Sequence, residues 1–404
     1  MTGGKVPIER VGHTHYKTAE CPKEKKRSII LSLPVEIIFN IFVWIPADIL
    51  YNSMRYVCRQ WYDIVCDPVF IQEQLIHSSV GLIVDNNGSA RTQYFEVGKM
   101  NATRSIELGY PFQRRIDATC DGLVLFTEGQ NRMVHGNHVT NDQAVCVANP
   151  LTKQKVTLPP PPPGCRPAHF YYSLACSHLA REYKVVFTCL SHGCQFFDWM
   201  VVTVGKDQAW RLIDSKKLSD LGRNHSPNIR LSTVGFLYLI YNRYASIVAL
   251  DVQSETFYEF PGPTVPHSSD KDVVSYLVRR NYLSCIVRLE SGTILNVWEL
   301  SDPMSGRWRK LYTFDFDVPK YKSSGMFKGW FSRRADFMCF LPKAWVNNGQ
   351  VVVFRLFHNP GPFIAHNVET GATFLIGGRY LDSLRSVSHG YAWSLVSLSP
   401  ILQC

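Results

Sequence analysis

The chain has 404 residues, 46% of them hydrophobic, and a formal net charge of +10. It is too apolar for a disordered chain and long enough for a small domain beside a large one. The charge is dilute: residues 1–27 hold seven Lys/Arg against three Glu, and the other +6 is spread over 377 residues, which excludes the concentrated basic face that nucleic acid demands.

Residues 1–27 read as a flexible basic leader. Its cluster Lys23-Glu24-Lys25-Lys26-Arg27 reads as a solvated tail before a nuclear-import address. The leader lacks the apolar core of a secretory signal. The longest apolar runs are broken by Asn40, Pro46 and Asp48, and by Asn242 and Arg243, short of the roughly 18 residues a membrane span needs. The expected setting is cytoplasmic or nuclear, with no membrane partner. Twelve cysteines without regular spacing suggest reduced, mostly buried thiols.

Residues 28–77 predict a compact helical domain. Ser32 is placed to cap, Pro34 suits a first helical turn and Glu36 favours the positive end of the helix dipole, so a helix is expected to start near Leu33. Ile37, Ile41 and Trp44 form one apolar row while Ile38, Phe42 and Ile45 form a second, a band wider than one core face requires. Pro46 ends this helix and Asp48 is placed to cap the next, in which Leu50, Met54, Val57, Trp61 and Ile64 step by 4, 3, 4 and 3 residues along one stripe. Asp67-Pro68 stops it, and Phe70, Ile71 and Leu75 predict a short third helix. More apolar surface results than so small a unit buries alone.

Leu33, Pro34, Glu36, Ile45, Pro46, Leu50, Val57, Cys58, Arg59, Trp61, Asp67, Pro68 and Phe70 together resemble the F-box pattern. Trp44 departs from it, being bulkier than the aliphatic residue usual before the second proline pair. The resemblance implies docking on a Skp1-like protein, and through it on a cullin carrying a ubiquitin-transfer module. The residues it nominates for that contact are Leu33, Pro34, Ile37, Ile41, Trp44, Ile45, Pro46, Leu50, Val57, Cys58 and Trp61, in a helix-in-groove mode.

Residues 78–404 change character. Runs such as Gly122–Phe126, Tyr183–Phe187, Trp199–Val204 and Gln350–Phe354 lie between Gly, Pro, Asn and Asp clusters and predict strands. Ala144–Pro159 aligns without a gap on Ser246–Pro261, bringing Asn149 over Asp251, Thr152 over Ser254 and Pro159 over Pro261; a third copy places Asn367 and Thr370 at the same positions. Each copy predicts a hairpin turned by an Asx side chain. Two further hairpins, Met200–Arg211 and Val297–Arg309, look to be of another style, entering the return strand at Trp-Arg. The spacing predicts a β-propeller of six to eight blades, with a final strand near Tyr391–Leu398 pairing with one near Val80–Asp85 to lock the ring. The overall class is therefore α+β multidomain: a helical bundle followed by an all-β propeller.

The residues Cys120–Val124, Asn149–Thr152 with Leu158–Pro160, Glu182–Val186, Trp210-Arg211 and Ala249–Asp251 with Phe257 are similar to the kelch-related, F-box-associated domain of plant F-box proteins. The resemblance implies that this domain recognises the protein to be ubiquitinated and that the chain is a non-catalytic substrate adaptor. The alternatives are a propeller that binds a Skp1-like protein without promoting degradation, and a kelch-like propeller enzyme. Loop residues Tyr171, Tyr172, Arg223, His225, Phe327 and Trp330 are candidate contacts for an unidentified target protein. Cys176, His178, Cys189, His192 and Cys194 fit no common zinc spacing, and no phosphate-binding glycine loop or nucleophile elbow occurs, so no cofactor or metal is expected.

Overall fold

The computed structural model describes residues 33–85, 92–97, 103–108, 116–128, 132–134, 138–140, 144–163, 172–177, 179–190, 197–219, 225, 227–241, 246–264, 273–288, 294–316, 340–356, 363–376 and 387–398. The basic leader and the Ser32 cap lie outside them.

Four short helices come first: α1 (Val35–Phe42), α2 (Ala47–Asn52), α3 (Arg59–Cys66) and α4 (Pro68–His77). Pro34 holds the position before α1 in extended geometry, and its carbonyl accepts from the amides of Ile37 at 3.1 Å and Ile38 at 3.2 Å. The single second helix expected from the 4-3-4-3 stripe is instead α2, a 3₁₀ turn (Met54–Tyr56) and α3. Ser53 (φ −134°) and Cys58 (φ −159°, ψ 168°) are not helical, so the stripe folds on itself. Leu50, Trp61 and Ile64 stay in the core, while Val57 turns out to solvent. Asp48 does not cap α2 but sits in its first turn, with Pro46 at the cap position. The stop at Asp67-Pro68 is as expected: Asp67 Oδ1 accepts from the amides of Val69 at 2.6 Å and Phe70 at 3.2 Å, with Pro68 opening α4. The bundle core is aromatic, with Phe42 edge-on to Trp61 at 4.8 Å and Phe39 edge-on to Phe70 at 5.2 Å.

The rest is a six-bladed propeller of four-stranded antiparallel sheets. Blade 1 joins Val387–Tyr391 to Gly81–Asp85, Thr92–Val97 and Thr103–Glu107. Blade 2 is Ile116–Cys120, Leu123–Glu128, Ala144–Asn149 and Gln154–Thr157; blade 3 is Tyr172–Cys176, Tyr183–Leu190, Phe197–Thr203 and Arg211–Ile213. Blade 4 comprises Ile229–Ser232, Phe236–Tyr241, Ser246–Asp251 and Thr256–Pro261, and blade 5 Val273–Arg279, Tyr282–Arg288, Ile294–Asp302 and Arg307–Asp315. Blade 6 comprises Phe340–Val346, Val351–Leu356, Phe363–Asn367 and Thr373–Ile376. The ring locks where Gly81 pairs with Tyr391 and Asp85 with Val387. The locking strand therefore ends where it was expected to begin, because residues 392–398 leave the sheet.

The repeating hairpin is the turn between the third and fourth strands. Asn149, Asp251 and Asn367 each accept with Oδ1 from the amides two and three residues on, at 2.8 to 3.4 Å. Blade 5 carries a fourth copy: Asp302 accepts from the Met304 amide at 3.0 Å and the Ser305 hydroxyl at 2.5 Å. The second Trp-Arg hairpin is thus not of another style. Register shifts at Val297/Trp298 and Leu300/Asp302 stretch it out of alignment with the others. In all four copies the fifth residue is left-handed, with φ of 61° at Lys153, 56° at Glu255, 67° at Gly306 and 68° at Gly371. The Trp-Arg positions serve as rivets between blades: Trp210 Nε1 donates to Pro159 O at 2.8 Å, and Trp308 Nε1 to Pro261 O at 3.2 Å.

Cys146, Cys176, Cys189 and Cys285 are buried thiols outside any disulfide, and Cys58 and Cys120 are half-buried ones. Cys66, half-buried at the end of α3, departs from the expectation of reduced thiols by being disulfide-bonded. Among the described residues no helix is long and apolar enough to cross a membrane, and no group of three or more His, Cys, Asp or Glu is placed to hold a metal ion.

Candidate functional site

The helical bundle has two faces, and only one is covered. Its inner face packs on blade 2 and on the segment that follows the locking strand: Leu151 and Leu395 join the core of Ile38, Phe42, Leu50, Trp61 and Phe70, with Trp393 and Ile71 against it. Asn149 fixes that segment. Its Nδ2 donates to Ser394 O at 2.9 Å and to Val396 O at 2.8 Å while its Oδ1 turns the hairpin. Gln154 Oε1 then accepts from the Leu398 amide at 2.9 Å. One fully buried asparagine therefore both makes the blade 2 turn and ties down the strap on which the helices sit. Gln74 Nε2 donates to Ile45 O at 3.2 Å and fixes α4 to the α1–α2 connection.

The outer face remains exposed. Ile37 and Ile41 on α1, with Trp44 two residues beyond its end, stay bare where Ile38 and Phe42 are buried, and exposures of 45%, 49% and 71% leave much of each side chain uncovered. Of the fifteen exposed large hydrophobic residues in the described structure, nine lie between Val35 and Ile76, so the bare apolar surface is concentrated on this unit. Trp44 is steadied by the His77 ring, edge-on at 4.4 Å.

Of the residues the sequence nominated, Pro34, Ile37, Ile41, Trp44, Pro46 and Val57 are exposed, and Leu33, Ile45 and Cys58 are half-buried on the bundle core. Leu50 and Trp61 are inside that core, so they support the face without forming its surface. Val35, Ile49, Tyr56, Val69 and Ile76 were not nominated and are exposed as well. Val69 and Ile76 carried a legible signal, a spacing of seven residues on one helix.

The nominated target contacts fare differently. Tyr172 is not a loop residue: it opens the first strand of blade 3 and is buried beside Phe187 and Trp210, with ring centroids 5.3 and 6.2 Å away. Every residue of that strand is buried, so a tyrosine within it is covered on whichever face it falls. His225 is exposed, while Tyr171, Arg223, Phe327 and Trp330 lie outside the described residues. Of the sequence's metal candidates, Cys176 and Cys189 sit in the hydrophobic core between blades 2 and 3, and His178, His192 and Cys194 lie outside the described residues.

Residues 90–353 match the F-box associated beta propeller domain family, and residues 30–75 match an F-box-like family. An F-box/kelch-repeat protein of Arabidopsis thaliana is 24% identical over 326 residues, which is 72% of this chain and 73% of that protein. Another Arabidopsis F-box protein is 26% identical over 336 residues, covering 70% of this chain and 68% of its own. F-box DNA helicase 1 of Gallus gallus is 39% identical over 67 residues, 16% of this chain and 7% of that protein.

Proposed function

The chain belongs to the F-box-associated β-propeller family, and from that premise we propose that it is the substrate-recognition adaptor of a Skp1-cullin-F-box ubiquitin ligase. The helical unit docks on a Skp1-like protein through the bare row of Ile37, Ile41 and Trp44, and the ring holds the protein to be ubiquitinated. The chain performs no chemistry itself; it brings a target within reach of a ubiquitin-transfer module carried by the cullin.

One observation supports this reading most. The bundle is already seated on the ring through Leu151, Trp393 and Leu395, yet Ile37, Ile41 and Trp44 on its far side stay uncovered. A helix that served only to cover the propeller would bury its wider apolar stripe; a helix with a core row and a separate bare row suits a second partner. The test is co-purification of the full-length protein with a Skp1-like protein. Leu33→Asp combined with Pro34→Ala should abolish it while the melting transition of the ring persists, and undiminished binding would refute the docking assignment. Stabilisation of a captured protein after removal of residues 28–75 separates the degradative adaptor from a propeller that binds a Skp1-like protein without promoting degradation.

A further inference from the structure

The ring repeats itself, and one repeat lacks a part that another supplies. At the seam of blades 3 and 4, Arg211 follows the riveting Trp210, and its guanidinium is closed by the Glu255 carboxylate, the fifth residue of the blade 4 turn. Lys184 Nζ shares that carboxylate at 2.7 Å and donates to Val252 O at 2.8 Å. A fork of cations on one blade takes a carboxylate from the next.

The seam of blades 5 and 6 begins alike. Trp308 makes the equivalent rivet, and Arg309 follows it. The fifth residue of the blade 6 turn, however, is Gly371. It has the left-handed backbone of Glu255 and the same bond back to the first carbonyl of the turn, 2.9 Å against 2.8 Å, and among the described residues beyond its chain neighbours no atom lies within 4 Å of where a Cβ would stand. The carboxylate of that turn, Glu369, is held by Gln350 Nε2 at 3.1 and 3.2 Å. Beside this seam lies a cleft of about 550 Å³ lined by Arg279, Arg280, Arg309 and Glu299, with Tyr282 and Tyr312 as aromatic walls. Arg279 Nε donates to Gly349 O at 3.1 Å and Arg280 Nε to Asn348 O at 2.5 Å, which tethers both to blade 6. Glu299 is buried between Arg279 at 3.4 Å and Arg309 at 2.9 Å. Three guanidinium groups thus line a cleft whose one carboxylate pairs with two of them; Arg309 is 64% exposed, and Arg280 has no carboxylate partner among the described residues.

We propose that this cleft receives a carboxylate side chain from an acidic segment of the target protein, in the role that Glu255 plays at the blade 3–4 seam. Planar guanidinium forks suit a carboxylate in two-point contact, and the half-exposed Tyr282 flanks it with an apolar wall. The assignment of that segment to a target rests on the adaptor reading above.

The experiment titrates the full-length protein with fluorescein-labelled hexaglutamate, hexaglutamine and phosphoserine-containing peptides at low and high salt. Hexaglutamate should bind, hexaglutamine should not, and binding should weaken as salt rises. Arg280→Ala with Arg309→Ala should weaken it by about tenfold or more. Gly371→Glu, which restores a built-in acid in a backbone conformation that Glu255 already tolerates, should do the same. Unchanged melting temperatures show that neither variant acts by unfolding. Equal binding of hexaglutamate and hexaglutamine, indifference to both variants, or preference for phosphoserine each overturns the proposal. Co-purification with a Skp1-like protein is scored on the same preparations. Its persistence beside a failed peptide titration retires the cleft and spares the adaptor reading, and its loss beside a successful titration retires the adaptor reading and spares the cleft.

Discussion

Trp44→Ala is the most informative perturbation of the bare row formed by Ile37, Ile41 and Trp44. An indole side chain offers about 200 Å² to a partner, and 71% of Trp44 is uncovered, so about 140 Å² remains for burial. At about 25 cal/mol per Å², that surface contributes up to about 3.5 kcal/mol to association, equivalent to a few hundredfold in Kd. The cost to the fold should stay within about 1 kcal/mol, since the ring rests on the surface against His77 and not in the core. Isothermal titration with a purified Skp1-like protein measures the first quantity and a thermal melt the second. Trp61→Ala is the control: its side chain is inside the bundle, so truncation should cost about 3–5 kcal/mol of stability and show itself in the melt. A Trp44→Ala protein that binds within twofold of the unaltered chain, together with an equally indifferent Ile41→Asp, would refute the reasoning.

Three further outcomes are expected. Asn149→Asp keeps the acceptor for the Leu151 amide but turns a carboxylate onto the carbonyls of Ser394 and Val396; urea titration should show a loss of about 3 kcal/mol or more, and a loss under 1 kcal/mol would contradict the strap's role. Gly306→Ala places a Cβ 2.4 Å from Phe260 Cβ, whereas Gly371→Ala meets nothing within 4 Å; melting should show about 1 kcal/mol lost at Gly371 from the left-handed backbone alone and at least about 2 kcal/mol at Gly306. His366 is pushed down to about 4 by burial, against the opposing charge of Asp315, and stacks on Phe314 at 5.2 Å. The unfolded chain therefore takes up a proton below about pH 6.5 that the folded chain refuses until about pH 4, and stability should fall by about 2 kcal/mol from pH 7.5 to pH 5. His366→Gln should remove that part of the acid loss, and an unaltered pH slope in the variant would count against the assignment.

The helical unit was legible because its punctuation is chemical: Pro34, Pro46 and Asp67-Pro68 each forbid or favour a helical backbone wherever they stand. What could not be read was the break inside the second helix. Spacings of 4, 3, 4 and 3 satisfy a continuous stripe as well as two short helices, and the turn at Ser53–Cys58 carries neither glycine nor proline to mark it. The ring was legible through its turns, since Asn149, Asp251 and Asn367 act within three residues of themselves. Asp302 does the same thing and escaped because register shifts alter the count along the strand before it. The Trp-Arg marker was visible, but its carbonyl partner lies 51 residues away for Trp210 and 47 for Trp308, a distance only the folded ring supplies. Asn149 illustrates the same limit: its turn was predictable, whereas its grip on Ser394 spans 245 residues.

The strap also sets an order of events during synthesis. The helices precede the ring in the chain and so leave the ribosome before it, but their seat includes Trp393 and Leu395, and the ring itself is shut by Val387–Tyr391. A product cut short before residue 387 would carry an open-edged blade 1 and a helical unit with no floor beneath it. Such a fragment would be sticky at both places at once, so chaperones and proteases could tell it apart from the closed ring.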